Sequence, residues 1–237
     1  MAPRPPGAAT GGRVKPLRVE DLGLARYGET LELQRELRAR RISGELAEDV
    51  LLLVEHPPVV TLGRGARPSS LPLAPAALQR RGVEVFEVER GGDVTLHAPG
   101  QLVGYPILDL RRHREDLHWY LRSLEDVLIQ ALGGLDIEAD RSPGRTGVWT
   151  AGRKIASIGI HVKQWVTLHG FALNVTTDLD LFDLIVPCGI PQVVMTSVTA
   201  ELLPEPGTEL MPAVRQRVLG SFCDVFETTV VAATGTR

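Results

Sequence analysis

At 237 residues, with 43% of them apolar and a formal net charge of −3, the chain is long enough to bury a sizeable core and too weakly charged to suggest nucleic acid as its main partner. Two cysteines exclude a disulfide framework and point to a reducing compartment. No apolar run reaches the roughly 18 residues of a membrane span, so a cytoplasmic protein with no membrane partner is expected.

The opening stretch MAPRPPGAATGGRVK is rich in proline, glycine and alanine, and residues 1–15 are expected to form a disordered N-terminal arm. From Tyr27 to Arg41, Tyr27, Leu31, Gln34 and Leu37 fall on one side with charges opposite, the spacing of a first helix. VLLLVEHPPVVTLG holds two β-rich runs parted by His56-Pro57-Pro58, because proline interrupts a central strand. Val83 to Val88 alternates as a half-buried strand, Gly91-Gly92 turns the chain, and LVGYPILDL reads as another strand. In Glu115 to Leu132, Leu117, Tyr120, Leu121, Leu124, Val127, Leu128, Ala131 and Leu132 share one face of a long helix. Residues 142–175 read as short strands joined by glycine-bearing turns, with Ala151-Gly152 a hairpin corner, and a last helix is predicted from about Thr208 to Phe226. Antiparallel strands with a few helices give an α+β class, a curved sheet covered by helices on one side. Residues 16–237 are expected to be one domain, with the portion after about Pro187 a candidate smaller cap.

Chemistry concentrates in a few places. Cys188 sits between Pro187 and Gly189, where a turn or element end leaves a thiol within reach. Cys223 lies in the last predicted helix near its apolar face and reads as structural. Lys154 opens a strand beside apolar residues; most single lysines are solvated, but one aimed into a site would stabilise an anion or lower the pKa of a neighbouring thiol such as Cys188. In Arg90 to Gln101, RGGDVTLHAPGQ, glycines would let backbone approach a ligand, with Arg90 and His97 in reach of it, although a plain tight hairpin has the same signature. His56, His161 and His169 read as structural, His113 and His118 as surface groups. No phosphate-loop pattern and no zinc spacing is present, so neither nucleotide nor metal is indicated.

Taken together, EHPPVVTLGR, RGGDVTLHAPGQLVGYPILDL, GRKIASIGI, HGFALNV and VPCGI, in that order, closely resemble the lipoyl(octanoyl) transferase family over roughly Tyr27 to Ser197. The resemblance implies a fold like that of the biotin and lipoate protein ligases, with curved mixed β-sheets covered by helices. It implies transfer of an octanoyl group from acyl carrier protein to a lysine of lipoyl domains, those of the 2-oxoacid dehydrogenase acyltransferase subunits and the glycine cleavage H protein, by a monomer without a cofactor. By motif match, Cys188 would be the acyl-thioester nucleophile and Lys154 the residue that lowers its pKa. Substrate contacts would fall on Arg90, Gly91, Gly92, Asp93, Val94, Thr95, Leu96 and His97, on Ser157, Ile158 and Gly159, and on Gly170, Phe171 and Ala172. Where relatives read YHGPGQ this chain reads LHAPGQ, so Leu96 and Ala98 are expected to reshape the pocket and its chain-length preference.

Cysteine with lysine is chemically sufficient for acyl transfer, since a thiolate is the nucleophile and covalent catalysis divides one hard step into two. Oxyanion donors are expected from backbone N–H groups near Gly189 or within Gly91 to His97. Either neutral Lys154 or His97 could take the proton from the incoming lysine. Carrier proteins are acidic, which gives Arg111, Arg112 and Arg114 a candidate docking role. The rival readings are an ATP-dependent lipoate or biotin protein ligase and a noncatalytic acyl-binding protein.

Overall fold

The computed structural model describes residues 15–187, 193–202 and 210–232. Its strands are β1 (Lys15–Leu24), β2 (Asp49–Glu55), β3 (Val59–Leu62), β4 (Glu84–Glu87), β5 (Val94–His97), β6 (Gln101–Ile107), β7 (Asp140–Ser142), β8 (Arg145–Thr150), β9 (Arg153–Lys163), β10 (Val166–Asn174) and β11 (Thr228–Val231). Its helices are α1 (Tyr27–Ser43), α2 (Pro75–Arg80), α3 (Leu117–Gly133), α4 (Val198–Glu201) and α5 (Leu210–Phe226). An eight-stranded sheet runs β11-β1-β2-β6-β10-β9-β8-β7, and a three-stranded sheet runs β4-β3-β5.

Alternation along β2 shows how the layers are stacked. Val50, Leu52 and Val54 join one buried cluster, whereas Leu51 and Leu53 join another, so both faces of the large sheet are dry. α3 and α5 cover one face, with Leu124, Val127, Leu128, Val214, Val218 and Phe222 in the same cluster as Leu51 and Leu53. α1 covers the other through Tyr27, Leu31 and Leu37. The expectation of helices on one side is therefore corrected: two opposite apolar faces need two covers.

The antiparallel expectation is corrected as well. β1 runs parallel to both β2 and β11, and β3 runs parallel to β4. β1 itself was not predicted, because KPLRVEDLGL lacks a clean alternation and only Leu17 among its residues is buried. It is a strand because β2 and β11 supply partners for its backbone, which no local pattern reveals.

Local signals explain the helices that were legible. α1 presents Tyr27, Leu31, Gln34 and Leu37 inward as its spacing requires, and ends at Gly44 in the left-handed region. α3 starts where the Asp116 side chain accepts from the Trp119 N–H at 3.0 Å. α5 sits in the same core cluster as α3. Residues 1–14 of the expected arm, and residues 188–192 and 203–209 of the candidate cap, lie outside the described residues. No described helix is long and apolar enough to cross a membrane.

The close approach of β6 to β10 generates a stability test. A Cβ at Gly104 would lie 2.1 Å from Phe171 Cζ, so the ring fills the place of a side chain. Gly104→Ala is expected to cost about 1–3 kcal/mol, seen as a lower urea midpoint, whereas Gly133→Ala, whose methyl would meet nothing within 4 Å, should not lower it.

Candidate active site

A cavity of about 220 Å³ opens where the two sheets meet. Among the described residues it is lined by Arg90, Gly92, Asp93, Val94, Thr95, His97, Ser157, Ile158, Gly159, Gly170, Phe171 and Ala172, together with Lys154. Two of the expected stretches face each other residue for residue, since β9 and β10 pair Ser157 with Ala172, Ile158 with Phe171 and Gly159 with Gly170. The third stretch crosses above them: a Cβ at Gly159 would meet Arg90 Cδ at 3.0 Å and Gly91 O at 3.3 Å. Three segments distant in sequence therefore wall one space.

Two expected contacts are not on that wall. Leu96 is fully buried and packs with Val60, Leu78, Val83 and Phe182 on the far side of β5, because alternate residues of a strand face opposite ways. Gly91 does not line the cavity either, and its N–H donates to Ile160 O at 2.9 Å, which removes it as an oxyanion donor. Ala98 is buried in the same cluster as Leu96 and does not take a positive φ. Both side chains, expected to reshape the pocket, thus join a separate core.

The structure adds residues that the sequence did not single out: Tyr27, Tyr105, Gly144, Arg145, Thr146 and His169 also line the cavity. Tyr27 was legible only as one residue of a helix face. His169 holds a left-handed φ of 60°, and its N–H donates to Gln34 Oε1 at 3.1 Å. Strain of this kind at a non-glycine residue clusters at functional sites. Its Nε2 stands 3.8 Å from Glu89 Oε2, beyond hydrogen-bond reach.

Two buried imidazoles stand at the inner end. His56 Nδ1 lies 2.7 Å from Ala25 O and Nε2 lies 2.9 Å from Tyr105 Oη. A carbonyl only accepts, so Nδ1 carries the proton and the Tyr105 hydroxyl donates to Nε2. Burial pushes the His56 pKa down to about 4 against the Ala25 hydrogen bond. His97 is pushed to about 3 by burial, with the charges of His56 and Arg90 acting the same way against the Gln101 hydrogen bond. Both rings are therefore neutral near pH 7. Burial also pushes the Cys223 thiol up, in keeping with an unreactive structural cysteine.

Lys154 is 2% exposed, and its ammonium lies 5.5 Å from the centroid of the Trp149 ring. Its backbone is clamped by the segment 193–197: the Lys154 N–H donates to Val194 O at 2.8 Å, and the Thr196 N–H donates to Lys154 O at 2.9 Å. Gly147, at φ 122°, leaves room for the stem, since a Cβ there would meet Ala156 O at 2.5 Å and Lys154 Cε at 2.8 Å. Cys188 and Gly189 lie outside the described residues. Of the candidate docking arginines, Arg111 pairs with Asp109 at 2.8 Å and Arg114 with Asp116 at 3.2 Å, so neither charge stands alone.

Comparison with known proteins supplies the remaining context. The family model described as the lipoyl protein ligase A/B catalytic domain matches residues 26–222. An octanoyltransferase of Gloeobacter violaceus is 50% identical over 206 residues, covering 85% of this chain and 90% of its own. An octanoyltransferase of Rubrobacter xylanophilus is also 50% identical over 206 residues, covering 86% and 90%. In fold, a lipoate-protein ligase A bound with ATP superposes with a TM-score of 0.67 at 15% identity, over 93% of this chain and 90% of that one. The biotin protein ligase of Aquifex aeolicus in complex with biotin and ATP gives 0.51 at 13% identity, over 90% and 73%. The expected ligase-like fold is borne out.

The buried histidines generate a pH test. Their folded pKa values, about 4 for His56 and about 3 for His97, lie below the unfolded value of about 6.5, so from about pH 6.5 down to those values the unfolded chain binds more protons. Stability is then fully present above 6.5 and falls as pH drops through that window; His161 and His169, also lowered mainly by burial, act in the same direction. Urea titrations are expected to show a loss of up to about 1.4 kcal/mol per pH unit for each histidine, with a shallower slope in His56→Gln. An unchanged slope would show that His56 does not carry it.

Proposed function

The chain belongs to the octanoyltransferase family, and we propose that it moves an octanoyl group from acyl carrier protein to a lipoyl-domain lysine through a thioester on Cys188. The observation that carries this reading is the buried Lys154 on the wall of the cavity that the stretches 90–97, 157–159 and 170–172 enclose. An apolar tail gains about 0.8 kcal/mol for each CH₂ it buries, and Ile158, Phe171 and Ala172 offer it such a wall.

In the first half, Cys188 Sγ attacks the donor's thioester carbonyl. The bond from the acyl carbon to Cys188 forms, the bond to the carrier sulfur breaks, and the carrier thiolate takes up the proton that Cys188 gave up. Lys154 holds its positive charge against the Cys188 thiolate. In the second half the acceptor ε-amine attacks the same carbon, the C–N bond forms, and the C–S bond to Cys188 breaks. The proton lost from nitrogen restores the Cys188–Lys154 pair. Thioester exchange is near balance and aminolysis of a thioester runs downhill, so the route consumes no ATP.

The acceptors are the lipoyl domains of the 2-oxoacid dehydrogenase acyltransferase subunits and the glycine cleavage H protein, and the enzyme works as a cytoplasmic monomer. The reading of a noncatalytic acyl-binding protein has no support in the cavity wall, since Leu96 and Ala98, where this chain departs from the family pattern, face elsewhere.

Intact and peptide mass spectrometry after incubation with octanoyl-carrier protein, without ATP or acceptor, tests the covalent step. A hydroxylamine-sensitive octanoyl adduct on the Cys188 peptide is expected, absent in Cys188→Ser and at least tenfold slower to form in Lys154→Ala; turnover that requires ATP would move the chain to the ligases. Gly147→Ala should displace the Lys154 stem and slow thioester formation by roughly tenfold to a hundredfold, measured by rapid quench.

A further inference from the structure

His97 offers one ring nitrogen to the cavity, and the fold decides its protonation. Thr196 O is a backbone carbonyl and can only accept, so the Asn174 amide nitrogen must donate to it, at 2.9 Å. Asn174 Oδ1 is then left to accept from Gln101 Nε2, at 2.9 Å. Gln101 Nε2 also donates to Leu96 O at 3.3 Å, a second carbonyl that fixes the same orientation independently. Gln101 therefore turns Oε1 to His97 Nδ1, 2.7 Å away. An amide oxygen accepts, so Nδ1 carries the hydrogen and Nε2 keeps its lone pair. Gln101 and Asn174 are 2% and 1% exposed, so water does not compete for these bonds.

Resting on the acyl-transfer reading above, we propose that Gln101 and Asn174 are positioning residues that lock His97 as the Nδ1–H tautomer, so that Nε2 accepts a hydrogen bond from the incoming lysine amine and aims it at the thioester. The ring itself is fixed by Tyr27, stacked at 5.9 Å, and His56, edge-on at 5.8 Å. Of the charged or titratable groups around it, Tyr27 stacks on the ring, Lys154 lines the same cavity, and the charges of His56, Arg90 and His169 act on the ring directly. None favours a second proton on His97, and burial holds the ring neutral to about pH 3. One amine N–H donates to Nε2, which leaves the nitrogen lone pair for the carbonyl carbon; the bonds made and broken are those of the second half-reaction. Nε2 of His97 makes no hydrogen bond among the described residues. His56 has no nitrogen to offer, since Ala25 and Tyr105 engage both. The far end of the relay also matters: Thr196, which anchors Asn174, donates its N–H to Lys154 O. One buried chain of amides thus sets both the acceptor atom and the lysine strand.

The test has a spectroscopic arm and a kinetic arm. In the ¹⁵N-histidine-labelled full chain at pH 7, long-range ¹H–¹⁵N spectra assigned with His97→Asn should show a pyrrole-like Nδ1 and a pyridine-like Nε2 for His97. An Nε2–H tautomer or an imidazolium in the wild type would overturn the proposal, whether or not any variant folds. In single-turnover reactions of the octanoyl-Cys188 enzyme with a lipoyl domain, Gln101→Glu places a carboxylate against Nδ1 and favours the imidazolium. Aminolysis should then fall at least tenfold at pH 7 and recover as pH rises, with a smaller effect on thioester formation. An equal, pH-independent loss in both halves, or no loss, would assign Gln101 a structural role only. If the wild type forms no thioester on Cys188, the acyl-transfer reading falls and the role given to Nε2 falls with it, while the tautomer still stands or falls on the spectrum.

Discussion

The burial of one ammonium group organises this site. Removing a lysine charge from water costs several kcal/mol unless partners replace the solvent, and Lys154 is 2% exposed. The surrounding structure is arranged to hold it. The Trp149 ring lies beside its ammonium, Gly147 leaves a gap for its stem, and the segment 193–197 clamps its backbone from the far side. A side chain held in this way has little rotamer freedom left.

The second organising element is the corner at residues 98–100, where the chain leaves the three-stranded sheet and enters the eight-stranded one. The Gly100 N–H donates to Glu55 Oε2 at 2.9 Å, and Gly100 O accepts from the N–H groups of Val175 and Thr176. That corner sets His97 at the end of β5 and Gln101 at the start of β6 close enough to bond. The cavity is therefore a product of the joint between sheets, and its polar end is the joint's own hydrogen-bonding network. His97 is neutral because it is buried there, and its free nitrogen is defined because the amides beside it cannot be turned.

The parts of the fold legible in the sequence are those with a local period. α3 shows its apolar face because that stripe spans nearly five turns, and α1 shows Tyr27, Leu31, Gln34 and Leu37 for the same reason. β1 was not legible, since only Leu17 in it is buried and its status depends on β2 and β11. The second helical layer was missed because a continuous apolar run such as Val50 to Val54 conceals the assignment of alternate residues to two faces. Leu96 is placed with substrate by the resemblance because the stretch Arg90 to His97 is carried over whole; alternate strand residues face opposite ways, so Thr95 and His97 line the cavity while Leu96 faces the core behind them.

By itself the sequence determined the chemistry available: a lysine beginning a strand, a glycine-rich stretch ending in His97, and a cysteine between proline and glycine, in an order that carries a family resemblance. Those are properties of residue type and spacing, which are local. Only the tertiary structure decided that Ser157–Gly159 and Gly170–Ala172 stand opposite one another, that Tyr27, Tyr105 and His169 share their cavity, and that Gln101 and Asn174 dictate which nitrogen of His97 is bare. The physical reason is that each of these depends on strand register and on the direction of hydrogen bonds between segments tens of residues apart.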